Sequence, residues 1–172
     1  RKWRAGRMGC CNTPSAKDAA PWIDRTIERL EKSFKSILLR GDTDYSQSEH
    51  LDGWDSRGVQ FIFGFDAGPK LVGLAEALAG TAWTPLARRP KYEVKTRKRT
   101  RPANVKEAIV RERDYKNIRL VGEEVAEFEY RPGKCEQAYR MVVVRKNLSV
   151  ERGERVLFDD VRYFFYITNV RA

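Results

Sequence analysis

One acidic corner of this sequence is well suited to metal-dependent chemistry. An apolar run at residues 37–39 ends abruptly at Arg40, Gly41 and Asp42. Because an apolar run that stops at a Gly-Asp pair indicates a buried strand followed by a turn, we expect the Asp42 carboxylate at the edge of a sheet. Carboxylate oxygens are the ligands that Mg²⁺ prefers. Asp42 is therefore the leading candidate for a catalytic residue and a metal ligand.

Other carboxylates lie near this corner or follow similar runs. Asp66 follows a second apolar run at residues 59–65, and could either approach Asp42 or cap the next helix. Asp44 is interpreted as a turn residue that could also orient the loop. Four further carboxylates are predicted to be solvated: Asp52, Asp55, Glu123 and Glu124.

A rival nuclease pattern occurs downstream of Asp66. Glu93, Val94 and Lys95 form an E-x-K sequence on a possible strand. Restriction-type nucleases place an Asp and an E-x-K around one metal ion. The pattern is short and common by chance, so it is kept only as an alternative.

The strongest charge feature is a basic run at residues 88–101. It contains eight basic residues and one acidic residue, Glu93. Lysine and arginine gain affinity for DNA by releasing condensed counterions, so this run is predicted to contact phosphates. Trp83 and Tyr92 flank the run and could either stack on bases or pack in the core. The candidate DNA-binding residues are Arg88, Arg89, Lys91, Lys95, Arg97, Lys98, Arg99 and Arg101.

Composition limits the classes of protein. The chain has 172 residues, 41% hydrophobic residues and a formal net charge of +10, which fits a folded domain with a polyanionic partner. No apolar run approaches the ~18 residues of a membrane span, so no membrane partner is expected. The three cysteines lack C-x-x-C spacing and His50 is the only histidine, which disfavours zinc and favours a reducing cytoplasm.

The first half of the chain predicts an α/β unit. Apolar spacing from Ala19 to Phe34 predicts a helix, with Pro21 in its first turn. A strand at 37–39, a helix at 48–57 with Gly58 at its end, and a strand at 59–65 form a β-α-β unit. Its two strands should be parallel and buried on both faces. Another helix is predicted at 71–78.

The second half is predicted to be rich in strands. A short helix is expected at 105–110, followed by strands at 118–120, 125–130, 139–145 and 163–168. Pro132 and Gly133 predict a turn, and Arg152 and Gly153 predict the turn of a hairpin over 150–158. These strands would form an antiparallel sheet inserted after the α/β unit.

Several blocks, taken in order, resemble a known family. They are LLRGDTDYSQSEHLDGWDSRGVQFIFGFDA, KYEVKTRKRTRPANVKEAIVRERDYKNIRL, EFEYRPGKCEQAYRMVVVRKNLSVERGE and RYFFYITN, within residues 14–169. Together they resemble the group 1 DDE transposases of bacterial insertion sequences. That family has a ribonuclease H-like core interrupted by a β-rich insertion, and it cuts and joins DNA with two divalent metal ions held by Asp, Asp and Glu.

The resemblance implies a role for each part of the chain. Asp42 would be the second Asp, with Mg²⁺ or Mn²⁺ as cofactor. The first Asp and the Glu have no matching position here, and Val170 stands where the family tends to carry Asp. We therefore expect a transposase fragment that is inactive alone. Its partners would be the double-stranded DNA of transposon ends and, by resemblance, a second copy in a homodimer. It would act in the bacterial cytoplasm, on nucleoid DNA.

The expected fold is an α/β, incomplete ribonuclease H-like core with an antiparallel β-rich insertion. Residues 1–13 are predicted to be irregular, 14–86 to form the partial core, 87–160 the basic β-rich insertion, and 161–172 a strand that returns to the core. A non-enzymatic, basic DNA-binding remnant is the other alternative.

Overall fold

The computed structural model describes residues 19–88 and 105–171. Its helices are α1 (Ala19–Leu30), α2 (Leu51–Ser56), α3 (Pro69–Glu76) and α4 (Val105–Glu112). Its strands are β1 (Leu38–Gly41), β2 (Gln60–Phe65), β3 (Thr84–Pro85), β4 (Lys116–Tyr130), β5 (Tyr139–Arg152) and β6 (Arg155–Thr168). Within these residues, no helix is both long enough and apolar enough to cross a bilayer.

The strands form one mixed six-stranded sheet in the order β1-β2-β6-β5-β4-β3. β1 and β2 are parallel, with Leu38 opposite Gln60 and Gly41 opposite Phe63. β6 is antiparallel to β2, and Phe65 is opposite Phe165. The mixed α/β content agrees with the α/β class expected from the sequence.

The chain divides into two compact units, and β4, β5 and β6 contribute residues to both. The described residues of the first unit fall within Arg1–Asp66, Phe128–Val142 and Phe165–Ala172. Those of the second fall within Ala67–Glu127 and Val143–Phe164.

The first unit contains the predicted β-α-β arrangement. Leu51 and Trp54 of α2 are buried, as their spacing predicts, and Gly58 has a φ of +72° directly after the helix. A positive φ at this position is the usual way for glycine to end a helix. The largest buried side chains of this unit are Trp54, Phe61, Phe63, Phe165, Ile27, Leu51, Met141, Ile167 and Val59.

One expectation for this unit is wrong. β1 was expected to be buried on both faces, but Leu38 is 53% exposed. β1 is the edge strand of the sheet, so a long apolar side chain there need not be covered.

The second unit has longer strands than its sequence pattern predicts. The separate strands expected at 118–120 and 125–130 are one strand, β4, and the strand expected at 139–145 continues to Arg152. The predicted turn at Gly153 is present, with a φ of +58°. β3 pairs with β4 through Thr84 opposite Val125.

Candidate active site

Asp42 lies directly after β1, where the chain turns into a 3₁₀ helix at Thr43–Tyr45. Its side chain is exposed, and its Oδ1 accepts a hydrogen bond from the backbone N–H of Asp44 at 3.2 Å. This hydrogen bond, from a residue two positions away, caps the 3₁₀ helix and orients the carboxylate. The structure thus places Asp42 at the carboxyl end of a strand, as the sequence predicts.

Two glycines let the chain turn tightly at this corner. A Cβ on Gly41 would lie 2.8 Å from the Cβ of Tyr45, and a Cβ on Gly64 would lie 2.9 Å from the backbone N of Thr43. A Cβ on Gly64 would also lie 3.2 Å from the carbonyl carbon of Asp42. The backbone that carries Asp42 therefore rests directly on β2, because Gly64 has no side chain.

Asp66 follows β2 at the same edge of the sheet. The parallel register pairs Gly41 with Phe63, so Asp42 aligns with Gly64 and Asp66 lies two residues further along. At a rise of about 3.3 Å per residue, that offset is about 7 Å along the strand direction. The side chain of Asp66 is exposed. Both aspartates therefore lie at the carboxyl ends of β1 and β2, and Asp66 is two residues further along the strand direction than Asp42.

These carboxylates do not complete a metal site by themselves. Among the described residues, no group of three or more His, Cys, Asp or Glu side chains is arranged to hold a metal ion. Asp42 can offer one carboxylate, whereas a two-metal centre needs several ligands around two ions.

Asn169 and Thr168, at the end of β6, join that strand to β2. The Asn169 side chain donates to Asp55 Oδ1 at 2.6 Å and to the Val59 carbonyl at 2.9 Å, and it accepts from the Phe61 N–H at 2.8 Å. The Thr168 hydroxyl donates to the Phe61 carbonyl at 2.6 Å. These contacts attach the start of β2 to the end of β6. Near the other end of β2, Gly64 packs against the backbone of Asp42 and Thr43. In the sequence, Thr168 and Asn169 stand within the RYFFYITN block, and no local pattern predicts this role for them.

Asp52 has a structural role that its local sequence does not predict. Its Oδ1 accepts from the Tyr139 hydroxyl at 2.5 Å and its Oδ2 from the Glu136 N–H at 2.6 Å. The Tyr139 hydrogen bond, followed by that of Glu136, lowers the pKa of Asp52, while burial raises the pKa of Tyr139. Asp52 and Asp55, which were predicted to be solvated, are half-buried and also hydrogen-bonded, since Asp55 binds Asn169.

The single cysteine among the described residues packs beside this bond. The Cys135 thiol donates to the Ser48 carbonyl at 3.0 Å, and burial, then the charge of Asp52, raises its pKa to about 11. A thiol with this pKa stays protonated at neutral pH, so it is a poor nucleophile and a poor metal ligand.

Of the predicted DNA-binding run, only Arg88 lies in the described residues. Its guanidinium binds both carboxylate oxygens of Glu123, at 2.5 Å and 2.9 Å. Lys146 lies 3.4 Å from the same carboxylate, whose side chain is only 8% exposed. These hydrogen bonds, that of Arg88 first, lower the pKa of Glu123. The prediction that Glu123 is solvated is therefore wrong.

Glu124 and Trp83 are also engaged within the second unit. Arg145 and Asn147 donate to Glu124 Oε2 at 2.8 Å and 3.1 Å, and the Arg145 guanidinium lies 4.1 Å from the Trp83 ring centroid. Trp83 is 8% exposed, so of its two expected roles the structure supports packing. Glu124, which was predicted to be solvated, is half-buried and bound by these two side chains.

The remaining predicted positions lie outside the described residues. They are residues 1–13, Arg89, Lys91, Tyr92, Glu93, Lys95, Arg97, Lys98, Arg99 and Arg101.

A separate cleft of about 260 Å³ lies in the first unit. Its polar groups already have partners: Trp54 Nε1 donates to Asp24 at 2.8 Å, and Arg57 binds the carboxylate of Glu31 through two N–H groups. We assign it no ligand.

No protein-family model, curated protein or solved structure matches this chain. The assignment of a function therefore depends on the residues and on their geometry.

Proposed function

We propose that this chain supplies part of the catalytic core of a DDE-type transposase, which moves an insertion sequence by cutting and joining DNA. The observation that carries the proposal is the exposed Asp42 carboxylate at the carboxyl end of β1. Side chains at the carboxyl ends of parallel strands are the usual catalytic positions of open α/β sheets. The mixed sheet, with its parallel pair β1–β2 and the antiparallel β6 beside it, supports the proposal at the level of the α/β class.

Asp42 fits one ligand position for Mg²⁺ or Mn²⁺. It is exposed, and the hydrogen bond that it accepts comes from the adjacent turn rather than from a distant side chain. Bound divalent ions would stabilise the attacking and leaving oxygens of a phosphoryl displacement. The described residues supply no complete ligand group, so we assign them no catalytic step.

The proposed substrate is double-stranded DNA at transposon ends. The support is the net charge of +10 and the basic run at residues 88–101. Because Glu123 neutralises Arg88, the other seven basic residues of the run should supply most of the phosphate contacts. Each phosphate neutralised contributes about −0.9 to the slope of log K against log salt concentration. A protein that acts on this substrate in a bacterium would work in the cytoplasm, on nucleoid DNA.

The first test is the nucleotide sequence on both sides of the coding segment. An open frame that continues upstream to an Asp-bearing strand and downstream to a Glu-bearing helix, between inverted repeats, would support the proposal. A frame without those two carboxylates would overturn it.

The second test is cleavage of transposon-end DNA by the protein of that complete frame, with Mg²⁺ or Mn²⁺. Asp42→Ala should abolish cleavage, whereas Lys95→Ala should leave the chemical step intact. If instead Lys95→Ala and Asp66→Ala abolished cleavage and Asp42→Ala did not, the restriction-type nuclease would be favoured.

A non-enzymatic DNA-binding protein is a second candidate, favoured by the lack of a three-ligand group among the described residues. It would bind DNA equally with and without divalent metal, and Asp42→Ala would not change that binding. Metal-dependent cleavage would exclude this function.

A further inference from the structure

One face of the sheet in the first unit carries an arginine beside Asp42. The backbone of Asp42 is still extended directly after β1, with φ −83° and ψ −169°. Side chains alternate between the two faces of an extended chain, so Arg40 and Asp42 share one face. Both side chains are exposed. At about 3.3 Å per residue, their backbone positions are about 7 Å apart along the strand. A positive charge therefore lies on the same open face as the candidate metal ligand.

Arg40 has no counter-charge within the fold. It lies opposite Ile62 of β2, which lies opposite Thr168 of β6, so its row across these strands carries no other charge. Within residues 19–88 and 105–171, no group forms an ion pair or a hydrogen bond with the Arg40 guanidinium. Arg57 of the same unit differs, because its guanidinium lies 3.0 Å from the Glu31 carboxylate. Arg40 is thus available to an anion from outside the chain.

A tyrosine lies in the row of Asp42. Asp42 aligns with Gly64 of β2, and Gly64 is opposite Tyr166 of β6. Opposed residues share a face and neighbouring strands are about 4.8 Å apart, so Tyr166 lies on the face of Asp42, about 10 Å from β1. Gly64 has no side chain, and the backbone of Asp42 and Thr43 rests on it. Tyr166 is 40% exposed, and its hydroxyl forms no hydrogen bond within the part of the chain that the structure describes.

We propose that Arg40 and Tyr166 form a phosphate-binding subsite, which holds the DNA backbone next to the phosphate at Asp42. The guanidinium fork matches two phosphate oxygens, and a tyrosine hydroxyl donates to a phosphate oxygen. Contacts of this kind fix the position of a DNA strand without reading its sequence. The subsite binds and orients the strand and takes no part in the chemical step. It needs no metal ion, because Arg40 itself supplies the positive charge.

This inference rests on the proposed DNA substrate, but its test requires no cleavage. The test is binding of a short fluorescein-labelled DNA duplex by the 172-residue chain. Fluorescence anisotropy is measured over a series of KCl concentrations without divalent metal. Phosphate contacts do not depend on sequence, so any duplex serves. Arg40→Gln should reduce the slope of log K against log salt concentration by about 0.9, the contribution of one phosphate.

Arg29→Gln is the matched control for Arg40→Gln. Arg29 is exposed in the last turn of α1 and belongs to the same unit, so this variant loses the same charge from a different element. It should keep the wild-type slope. An equal reduction of the slope in both variants would show that only the net charge matters, and the subsite would be refuted.

Tyr166→Phe separates the hydroxyl from the charge. It removes one hydrogen bond to a phosphate, so it should weaken binding by about two- to tenfold and leave the salt slope unchanged. Tyr45→Phe is its control at the same corner. A Cβ on Gly41, which faces away from Asp42, would lie 2.8 Å from the Cβ of Tyr45, so Tyr45 belongs to the opposite face. Tyr45→Phe should bind as wild type does. Circular dichroism checks that each variant is folded.

The outcomes separate this inference from the proposed function. A wild-type slope in Arg40→Gln, wild-type affinity in Tyr166→Phe, or a chain that binds no duplex at low salt would overturn the subsite. The first two results would leave the cleavage test of Asp42→Ala unaffected. A complete frame without the other two carboxylates would end the transposase proposal, whereas the effects of Arg40→Gln and Tyr166→Phe on DNA binding would still support the subsite.

Discussion

Replacing Gly64 by alanine tests the corner that carries Asp42. The new Cβ would lie 2.9 Å from the backbone N of Thr43 and 3.2 Å from the carbonyl carbon of Asp42. Favourable separations of such atoms are about 3.5–4.0 Å, so the corner must move by roughly 0.5–1 Å. Both close atoms belong to the backbone, so no side-chain rotation can relieve the contact.

The expected cost follows from two opposing effects. Overpacking a close contact costs about 1–3 kcal/mol. A Gly→Ala substitution also lowers the conformational entropy of the unfolded chain, which offsets about 0.4–1 kcal/mol of that cost. We therefore expect Gly64→Ala to lower the free energy of unfolding by roughly 0.5–2 kcal/mol, measured by urea denaturation followed by circular dichroism.

Gly53→Ala is the matched control in the same unit. Gly53 lies inside α2, and a Cβ there would meet no atom within 4 Å. Alanine is favoured over glycine in a helix by about 0.5–1 kcal/mol, so this variant should be more stable than wild type. If Gly64→Ala were as stable as Gly53→Ala, the close approach of β2 to the Asp42 corner would be refuted.

Two further predictions concern the hydrogen bonds around this sheet. Asn169→Ala leaves the Phe61 N–H and the Val59 carbonyl without their partner, so it should lower the free energy of unfolding by about 2–4 kcal/mol in the same assay; a loss below about 0.5 kcal/mol would contradict the network. Tyr139→Phe removes a hydrogen bond to an ionised carboxylate and should cost about 1.5–3 kcal/mol at pH 7. Because the pKa of Asp52 is lowered in the folded state, this contribution is present above its unfolded pKa of about 3.9 and is lost as the pH falls through the folded value. Unfolding measured from pH 7 downwards should therefore show wild type and Tyr139→Phe converging only below about pH 4, and a gap that does not change with pH would contradict this reasoning.

The β-α-β unit could be predicted because its signals are local. Residues 37–39 and 59–65 are short apolar runs, Leu51 and Trp54 are spaced for one face of a helix, and Gly58 ends that helix. Each signal concerns neighbours within a few positions. The parallel pairing of the two strands then follows from the helix between them.

The strand lengths of the second unit could not be predicted in the same way. Gly122 and the polar stretch Arg145 to Asn147 resemble breaks, yet both lie inside continuous strands. Arg145 and Asn147 are accommodated because both donate to Glu124 on the neighbouring strand β4. A polar residue that forms hydrogen bonds to the neighbouring strand can lie in the interior of a strand. Its partner on that strand cannot be identified from the local sequence pattern.

The same reasoning separates structural carboxylates from the candidate catalytic one. The structural contacts of Asp52 and Asp55 could not be predicted because their partners, Tyr139 and Asn169, are 87 and 114 positions away in the sequence. Asp42 differs from them, since the bond it accepts comes from the backbone two residues away and its side chain stays exposed. A carboxylate bound to a remote side chain is committed to holding the fold together, whereas one oriented only by its own turn remains accessible to a ligand. By this criterion the corner after β1, rather than the acidic side chains of α2, is where metal chemistry should be tested.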